Sequence, residues 1–305
     1  MRVAAIDLGT NTTRLLVADV EDGRVDEIEA RTEITRLGEG VDSRRRLLPV
    51  AVARVRNCLS DYRRELESLG AERALAVATS AVRDAENGEA FLGEVEWSYG
   101  FTTRLLSGDQ EAELTLRGVG SDTGAVIVDI GGGSTELVGS GLHESVDIGS
   151  VRLTERSLPS DPPTEAELAN AAAAVRELLP EASPPERAIG VGGTITTLAA
   201  LDLGLAEYDA DRVRGHRLSA EGVERQLHRL ASMRLAERRE VPALEPERAP
   251  VIVAGAVILQ QTLAHFGLGE LEVSERDILD GIALEAAALP EPVEGDAPPG
   301  AYTCC

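Results

Sequence analysis

The sequence predicts an α/β protein built from two copies of one domain, and three observations support this prediction. A chain of 305 residues has the length of two domains of ordinary size. Short β-like runs alternate with longer helical stretches, which is the pattern of α/β layering. A glycine-rich segment also recurs, because Asp7 to Val17 aligns without a gap on Asp129 to Gly139. We therefore expect similar domains at residues 1–120 and 121–290, followed by a flexible tail at residues 291–305.

The expected elements follow the same order in both halves. In the first half the expected strands are Arg2 to Asp7, Arg14 to Val20, Val25 to Arg31, Arg73 to Ala78 and Thr102 to Leu106. The expected helices there are Val50 to Leu69, Glu89 to Tyr99 and Asp109 to Val119. In the second half the expected strands are Ala125 to Asp129, Thr135 to Gly139, Ser145 to Ile148, Arg187 to Val191 and Leu271 to Ser274. The expected helices there are Glu165 to Leu179, Thr194 to Leu203, Ser219 to Leu230, Arg248 to Phe266 and Glu275 to Leu289.

Composition and charge narrow the classes of function. The net charge is −23, and all 30 basic residues are arginine. A field of this sign repels polyanions, which argues against general nucleic-acid binding. The first twenty residues lack the pattern of a signal peptide, and the longest apolar run, Val251 to Leu259, is too short to span a membrane. With three cysteines that form no disulfide or metal spacing, these features favour a cytoplasmic protein without nucleic-acid or membrane partners.

The two glycine-rich loops have the composition of phosphate sites. Glycine lets successive backbone N–H groups approach phosphate oxygens, and Thr or Ser adds a hydroxyl donor. The aspartate that ends each first strand, Asp7 or Asp129, can hold Mg²⁺ directly or through water. A structural β-turn is the alternative for either loop alone, but two loops in register favour phosphate binding. Neither loop is a Walker A motif or a dinucleotide fingerprint, since lysine is absent and each turn leads into a strand.

Three further segments carry candidate residues. Val191 to Thr194 runs from an expected strand into a helix, which makes an anion site of the helix N-terminus. Arg83 occupies the matching place in the first half, where it can bind phosphate through its planar fork. Glu111 and Glu113 open another helix and diverge on it, so at most one of them faces a substrate. By spacing alone, an acidic turn that complements the helix dipole is favoured over a catalytic carboxylate.

Together these segments resemble the exopolyphosphatase and guanosine pentaphosphate phosphatase family. Five stretches carry the resemblance, in the order of the family, and they are Ala5 to Val17, Ala78 to Ala85, Ser107 to Ala112, Val128 to Val138 and Val191 to Leu198. Two shorter segments, Glu247 to Ala249 and Glu275 to Asp277, extend the resemblance toward the end of the chain. The resemblance implies duplicated ribonuclease H-like domains of the actin-like ATPase, sugar kinase and Hsp70 superfold, with a cleft between them. The chain is similar to the short, two-domain subclass.

The resemblance also implies roles for individual residues. Glu111 matches the carboxylate that activates water, which replaces the acidic-turn interpretation. Asp129 and Glu136 match metal ligands, with Mg²⁺ as the expected ion and Mn²⁺ as the alternative. The residues that match phosphate-binding positions are Asp7, Gly9, Thr10, Asn11, Arg14, Arg83, Gly131, Gly132, Gly133, Ser134, Gly192, Gly193 and Thr194. Three positions depart from the commonest family pattern: Thr10, Gln110 and Thr196.

We therefore expect a Mg²⁺-dependent hydrolase that releases terminal orthophosphate from inorganic polyphosphate. A guanosine pentaphosphate (pppGpp) 5′-phosphohydrolase is the alternative substrate class, and a kinase or ATPase of the same superfold and a non-catalytic alarmone-binding regulator also stay open. The resemblance allows a homodimer. Arg212, Arg214 and Arg217 gather in an otherwise acidic chain, and we hypothesise that they line a polyphosphate track, the alternative being a solvated surface.

Overall fold

The structure, a computed structural model, describes residues 1–120 and 124–290. The chain divides into two compact units, which we call the first unit (residues 1–119 and 278–290) and the second unit (Gly120–Asp277). We expected residues 278–290 in the second domain, but they group with the first. The expected tail at 291–305 lies outside the described residues.

The elements of the first unit follow the chain from its start. They are β1 (Arg2–Leu8), β2 (Thr13–Glu21), β3 (Arg24–Glu33), α1 (Val41–Arg44), α2 (Pro49–Ser68), β4 (Arg73–Ala78), α3 (Ser80–Arg83), α4 (Gly88–Tyr99), β5 (Thr102–Leu105) and α5 (Gly108–Val119).

The second unit follows, and one more helix ends the described chain. These elements are β6 (Ala125–Ile130), β7 (Thr135–Gly139), β8 (Leu142–Val146), α6 (Ser150–Ser157), α7 (Glu165–Leu178), β9 (Arg187–Val191), α8 (Gly192–Asp202), α9 (Ala210–Val213), β10 (Arg217–Ser219), α10 (Ala220–Ala231), α11 (Leu235–Arg238), α12 (Ile252–His265), β11 (Glu270–Val273) and α13 (Ile278–Ala288).

The described strands of each unit form one sheet with the same core order. In the first unit the order is β3-β2-β1-β4-β5, and in the second β8-β7-β6-β9-β11 is extended by β10 at its edge. In both sheets an antiparallel meander of three strands continues into two parallel strands. This is the ribonuclease H-like arrangement, so the expected duplicated α/β fold of the actin-like type is confirmed.

The central strands are buried on both faces, as their apolar sequences require. β1 and β4 of the first unit alternate small and branched apolar residues that are almost wholly buried. One face packs under α2 and α4, with Leu59 and Phe91 in its core. The other face packs against α5 and α13. The core of the second unit is continuous, and α8 and α12 are its most deeply buried helices.

Helix α13 belongs to the first unit because, together with α5, it covers the second face of that unit's sheet. Ile278, Ile282 and Ala286 share a buried cluster with strands β1, β2 and β4. A Cβ added at Gly281 would lie 2.0 Å from the Leu114 carbonyl oxygen, so glycine permits the close approach of α13 to α5. The composition of this apolar helix gave no signal of which sheet it covers.

Several elements differ from the expected ones, and the short elements α1, α9, α11 and β10 had no expected counterpart. Strand β8 begins at Leu142 instead of Ser145, and helix α6 was not expected at all. Helices α12 and α13 begin at Ile252 and Ile278, each a few residues later than expected. Within residues 1–120 and 124–290, no helix is long and apolar enough to cross a membrane.

Candidate functional site

Parallel strands bring three candidate segments of the first unit to one edge of its sheet. Leu8 at the end of β1 pairs beside Ala78 of β4, and Ala78 pairs beside Leu105 of β5. The segments that follow these strands are residues 9–11, 79–83 and 107–111. The carboxyl ends of parallel strands are where α/β sheets bind ligands, so the sheet gathers the expected site residues of this unit.

The first glycine loop, residues 9–11, forms a tight turn. The Gly9 N–H donates to the Thr12 carbonyl oxygen at 2.9 Å, and a Cβ at Gly9 would lie only 2.9 Å from that oxygen. The carbonyl oxygens of Thr10 and Asn11 accept hydrogen bonds from the N–H groups of Gly38 and Arg36 at 2.8 and 2.9 Å. The segment that follows β3 therefore fixes the carbonyl side of this loop.

Asp7 and Arg14 form a buried ion pair at the base of the first loop. They face each other across β1 and β2, and Arg14 Nε and Nη2 donate to Asp7 Oδ2 at 3.0 and 2.9 Å. Their side chains are 7% and 17% exposed, respectively, so the pair is largely removed from water. The guanidinium offsets the charge of the buried carboxylate, and it lies at the base of the first loop.

Glu111 is held at the first turn of α5. Ser107 and Gln110 make reciprocal hydrogen bonds across the start of this helix, at 2.9 and 3.2 Å, which is a capping box. The glutamine that departs from the family pattern therefore retains a capping role. The Glu111 side chain is 11% exposed, whereas Glu113 is exposed to solvent. The turn thus presents one acid to solvent and buries the other.

Arg83 lies beside Glu111. Its Nη1 is 3.4 Å from Glu111 Oε2 and also donates to the Leu106 carbonyl oxygen at 2.9 Å. The Leu106 contact fixes the guanidinium beside the Glu111 carboxylate, which is a candidate general base. The two residues come from segments that follow the neighbouring strands β4 and β5.

The second unit repeats this edge with different side chains. β6, β9 and β11 are parallel neighbours, and residues 131–134, 192–194 and 274–277 follow them. In the second loop, residues 131–134, the Gly131 N–H donates to the Ser134 carbonyl oxygen at 3.0 Å. This bond is equivalent to the Gly9 bond of the first loop, so the predicted register of the repeat holds in the backbone.

The acidic pair Asp129 and Glu136 occupies the place of Asp7 and Arg14. The two residues face each other across β6 and β7, and both are buried, at 9% and 1% exposure. Ser145 donates to Glu136 Oε1 at 2.8 Å. Two carboxylates opposite each other supply the oxygen ligands that Mg²⁺ prefers. No group of three His, Cys, Asp or Glu side chains converges as a metal site in the described residues, so other ligands would have to come from water or substrate.

The start of α8 adjoins this acidic pair. Gly192 has φ +82°, and a Cβ there would lie 2.6 Å from Asp129 Oδ1. A Cβ at Gly193 would lie 2.3 Å from Arg248 Nη1, so the Arg248 guanidinium covers the first turn of the helix. The Thr194 side chain instead packs against Gly255 of α12, which leaves only its backbone N–H for an anion.

Arg248 is a candidate that the sequence analysis did not assign. Its side chain is 12% exposed and lies 3.7 Å from Glu245. Tyr208 and Glu275 lie in the same neighbourhood, joined by a hydrogen bond of 2.5 Å from the tyrosine hydroxyl. The segment Glu247 to Ala249 follows the family pattern, which was the available signal.

The hypothesised polyphosphate track gains no support from its surroundings. Arg217 Nη1 lies 2.6 Å from Glu270, and Arg214 lies 4.0 Å from Asp211. These acids offset the positive charge that a polyanion would meet. His216, in the same segment, pairs with Asp202 at 3.1 Å.

Each unit thus carries a glycine loop at the carboxyl edge of its own sheet, in the same register, and this arrangement is typical of phosphate-binding proteins of the actin-like fold. Residues 16–288 match the model of the Ppx/GppA phosphatase family. The chain is 42% identical to "Exopolyphosphatase 2" of Mycobacterium tuberculosis, over 94% of this chain and 98% of that protein. The chain belongs to the Ppx/GppA phosphatase family, and it is a hydrolase of phosphorus-containing anhydrides.

Solved structures agree with this assignment. A crystal structure described as an exopolyphosphatase-like protein has a TM-score of 0.86 and 36% identity, covering 93% of this chain and 98% of its own. The Aquifex aeolicus member of the Ppx/GppA family has a TM-score of 0.76 and 32% identity, covering 94% of this chain and 98% of its own.

Proposed function

We propose that this chain is a Mg²⁺-dependent exopolyphosphatase that releases the terminal orthophosphate of inorganic polyphosphate. The observation that carries the proposal is Glu111, buried at the start of α5 and paired with Arg83 beside the first glycine loop. A kinase or ATPase would bind the same phosphates, but a carboxylate held beside a phosphate-binding arginine suits activation of water. The name of the 42% identical relative supports polyphosphate as the substrate.

In the first unit, the proposed role of the glycine loop is to bind the terminal phosphate through N–H groups and the Thr10 hydroxyl. Arg14 and Arg83 add positive charge, and Arg83 also orients Glu111. A carboxylate oxygen of Glu111 accepts a proton from water as the water oxygen bonds to the terminal phosphorus. The bridging P–O bond then breaks, and the shortened chain leaves with the electron pair of that bond.

In the second unit, Asp129 and Glu136 are the proposed Mg²⁺ ligands, and Ser145 orients the Glu136 carboxylate. When bound, Mg²⁺ would neutralise phosphate oxygen charge and so favour attack by water. The second loop and the first turn of α8, with Arg248 against it, supply N–H and guanidinium donors for further phosphate oxygens.

The test is a comparison of phosphate release from long-chain polyphosphate, tripolyphosphate and pppGpp, each with Mg²⁺ and with EDTA. We expect release that needs Mg²⁺ and is fastest with polyphosphate. Faster release from pppGpp would select the alternative substrate. Transfer of label from ATP to an acceptor faster than release of phosphate would refute hydrolysis, and binding without turnover would indicate a regulator.

Two expectations about the protein in the cell stay predictions. A cytoplasmic location is tested by fractionation, and a homodimer is tested by sedimentation equilibrium of the full chain. Neither is required by the proposed chemistry.

A further inference from the structure

The second glycine loop, residues 131–134, is held from one side by the start of α6. The Ser150 N–H donates to the Gly131 carbonyl oxygen at 2.9 Å. The N–H groups of Val151 and Arg152 donate to the Gly132 carbonyl oxygen at 2.9 and 3.1 Å. Two consecutive carbonyl groups of the loop are therefore bound by the backbone of α6.

The third carbonyl group is bound by a side chain. Arg152 Nε donates to the Gly133 carbonyl oxygen at 2.7 Å. The Arg152 side chain is only 9% exposed, and its Nη2 lies 4.0 Å from Asp147 Oδ1. A buried guanidinium needs hydrogen-bond acceptors to offset the cost of its desolvation, and the Gly133 carbonyl oxygen is one of them.

Capture of the carbonyl groups determines where the N–H groups of the loop point. In a planar trans peptide, the C=O of one residue and the N–H of the next point in opposite directions. Because the carbonyl groups of residues 131–133 point toward α6, the N–H groups of residues 132–134 point to the opposite side. Successive N–H groups directed to one side form an anion-binding concavity.

Gly149 makes this close contact sterically feasible. A Cβ at residue 149 would lie 2.4 to 2.5 Å from the carbonyl group of Gly132 and the nitrogen of Gly133. No larger residue fits there without moving α6 away from the loop. The close approach of α6, which Gly149 permits, is therefore what orients the carbonyl groups of the second loop.

In the first unit a backbone group binds the equivalent carbonyl oxygen of the glycine loop. There, the Asn11 carbonyl oxygen, which is equivalent to that of Gly133, accepts its bond from the Arg36 N–H at 2.9 Å. In the second unit the same position depends on the Arg152 guanidinium. That contact can be removed by substitution, whereas the one in the first unit cannot.

We propose that Arg152 is a positioning residue of the phosphatase, which orients the N–H groups of the second loop toward a substrate phosphate. It touches the loop and not the reacting atoms. The proposal rests on the proposed function only in assigning phosphate as the ligand of the loop.

The test compares Arg152→Ala and Arg152→Lys with Arg238→Ala. Arg238 is a matched control because its guanidinium is also buried, at 6% exposure, but it lies against Asp161. For Arg152→Ala we expect kcat/KM with tripolyphosphate to fall by roughly 100-fold, comparable with the loss of an oriented oxyanion donor. Millimolar ethylguanidinium should restore part of this activity by occupying the vacated space. Arg152→Lys retains the charge but not the Nε donor, so its kcat/KM should lie between that of the wild type and that of Arg152→Ala.

Affinity separates this proposal from the proposed function. Calorimetry with tripolyphosphate in EDTA measures phosphate binding without turnover, and Arg152→Ala should bind about tenfold more weakly, as expected for roughly one lost orienting interaction. If the wild type binds but releases no phosphate, the hydrolase assignment fails while this difference still tests Arg152. The positioning role is overturned if Arg152→Ala loses no more affinity and activity than Arg238→Ala. It is also overturned if the loss follows a lowered unfolding temperature and ethylguanidinium restores nothing. Should Arg152→Ala not fold, Arg152→Lys against Arg238→Lys gives the same comparison.

Discussion

Gly192 offers a sharp test of the acidic pair in the second unit. The residue has φ +82°, and a Cβ would lie 2.6 Å from Asp129 Oδ1. The substitution Gly192→Ala therefore has two separable effects. It strains the backbone by about 1–2 kcal/mol, the cost of a left-handed conformation for an L-residue. It also pushes the Asp129 carboxylate away by several tenths of an ångström, since ordinary contact begins near 3.4 Å.

Gly204 supplies the matched control, because it follows the other end of the same helix. It has φ +64° and nothing within 4 Å of an added Cβ, so Gly204→Ala introduces the strain without the displacement. We expect similar losses of unfolding free energy in both variants. Only Gly192→Ala should lose phosphate release, by roughly 100-fold, the scale of a misplacement of about 1 Å in an active site.

The assay is phosphate release as a function of Mg²⁺ concentration, with chemical unfolding of each variant measured alongside. Gly192→Ala should require more Mg²⁺ for half-maximal activity, because Asp129 is a proposed ligand. The reasoning is refuted if Gly192→Ala and Gly204→Ala lose equal activity, or if the Mg²⁺ requirement of Gly192→Ala equals that of the wild type.

Three further predictions concern the first unit. Arg14→Ala leaves the buried Asp7 carboxylate without its guanidinium and should cost about 3–5 kcal/mol of unfolding free energy. The control is Arg24→Ala, which removes an exposed ion pair between Arg24 and Asp26 within strand β3 and should cost under about 1 kcal/mol. Equal losses of the two variants in urea unfolding would contradict this. Gly281→Ala places a Cβ 2.0 Å from the Leu114 carbonyl oxygen and should destabilise the protein by about 1–3 kcal/mol through overpacking. The control Gly93→Ala, at an exposed helical position with open space, should stabilise the protein by about 0.5–1 kcal/mol. A Gly281→Ala variant that is more stable than the wild type would disprove the close approach of α13 to α5. Burial raises the pKa of the Cys58 thiol to about 12, whereas the thiol of the unfolded chain ionises near pH 8.5. The stability that this neutral thiol contributes should therefore be full below about pH 8.5 and be lost as the pH rises toward 12. Alkylation of Cys58 at pH 9 should be slow in the folded protein and faster in urea, and rapid alkylation of the folded protein would contradict the prediction.

The repeat and its two loops could be predicted because they are local in sequence. A glycine turn between two strands requires a particular backbone, and the same residue spacing in both halves specified it twice. The bonds of Gly9 and Gly131 confirm that register at atomic detail. The family resemblance then assigned Glu111, which spacing alone had interpreted as an acidic turn.

The remaining contacts could not be predicted because they depend on tertiary packing. Arg152 reaches a loop carbonyl 19 residues earlier in the chain, from a short helix of eight residues that was not expected from the sequence. Arg248 meets Gly193 only after α12 packs on α8. Helix α13 returns to a sheet formed by the start of the chain, and its largely apolar sequence does not encode that destination.

The most direct test of the central claim is the turnover number of Glu111→Gln beside that of Glu113→Gln. The two glutamates lie on the same turn of α5, one buried against Arg83 and the other in solvent. With tripolyphosphate and saturating Mg²⁺, we predict that Glu111→Gln lowers kcat by roughly 10²- to 10⁴-fold, the contribution of a general base, with KM little changed and with folding intact by circular dichroism. Glu113→Gln should retain the activity of the wild type. Equal turnover in the two variants would contradict the assignment of Glu111 as the residue that activates water.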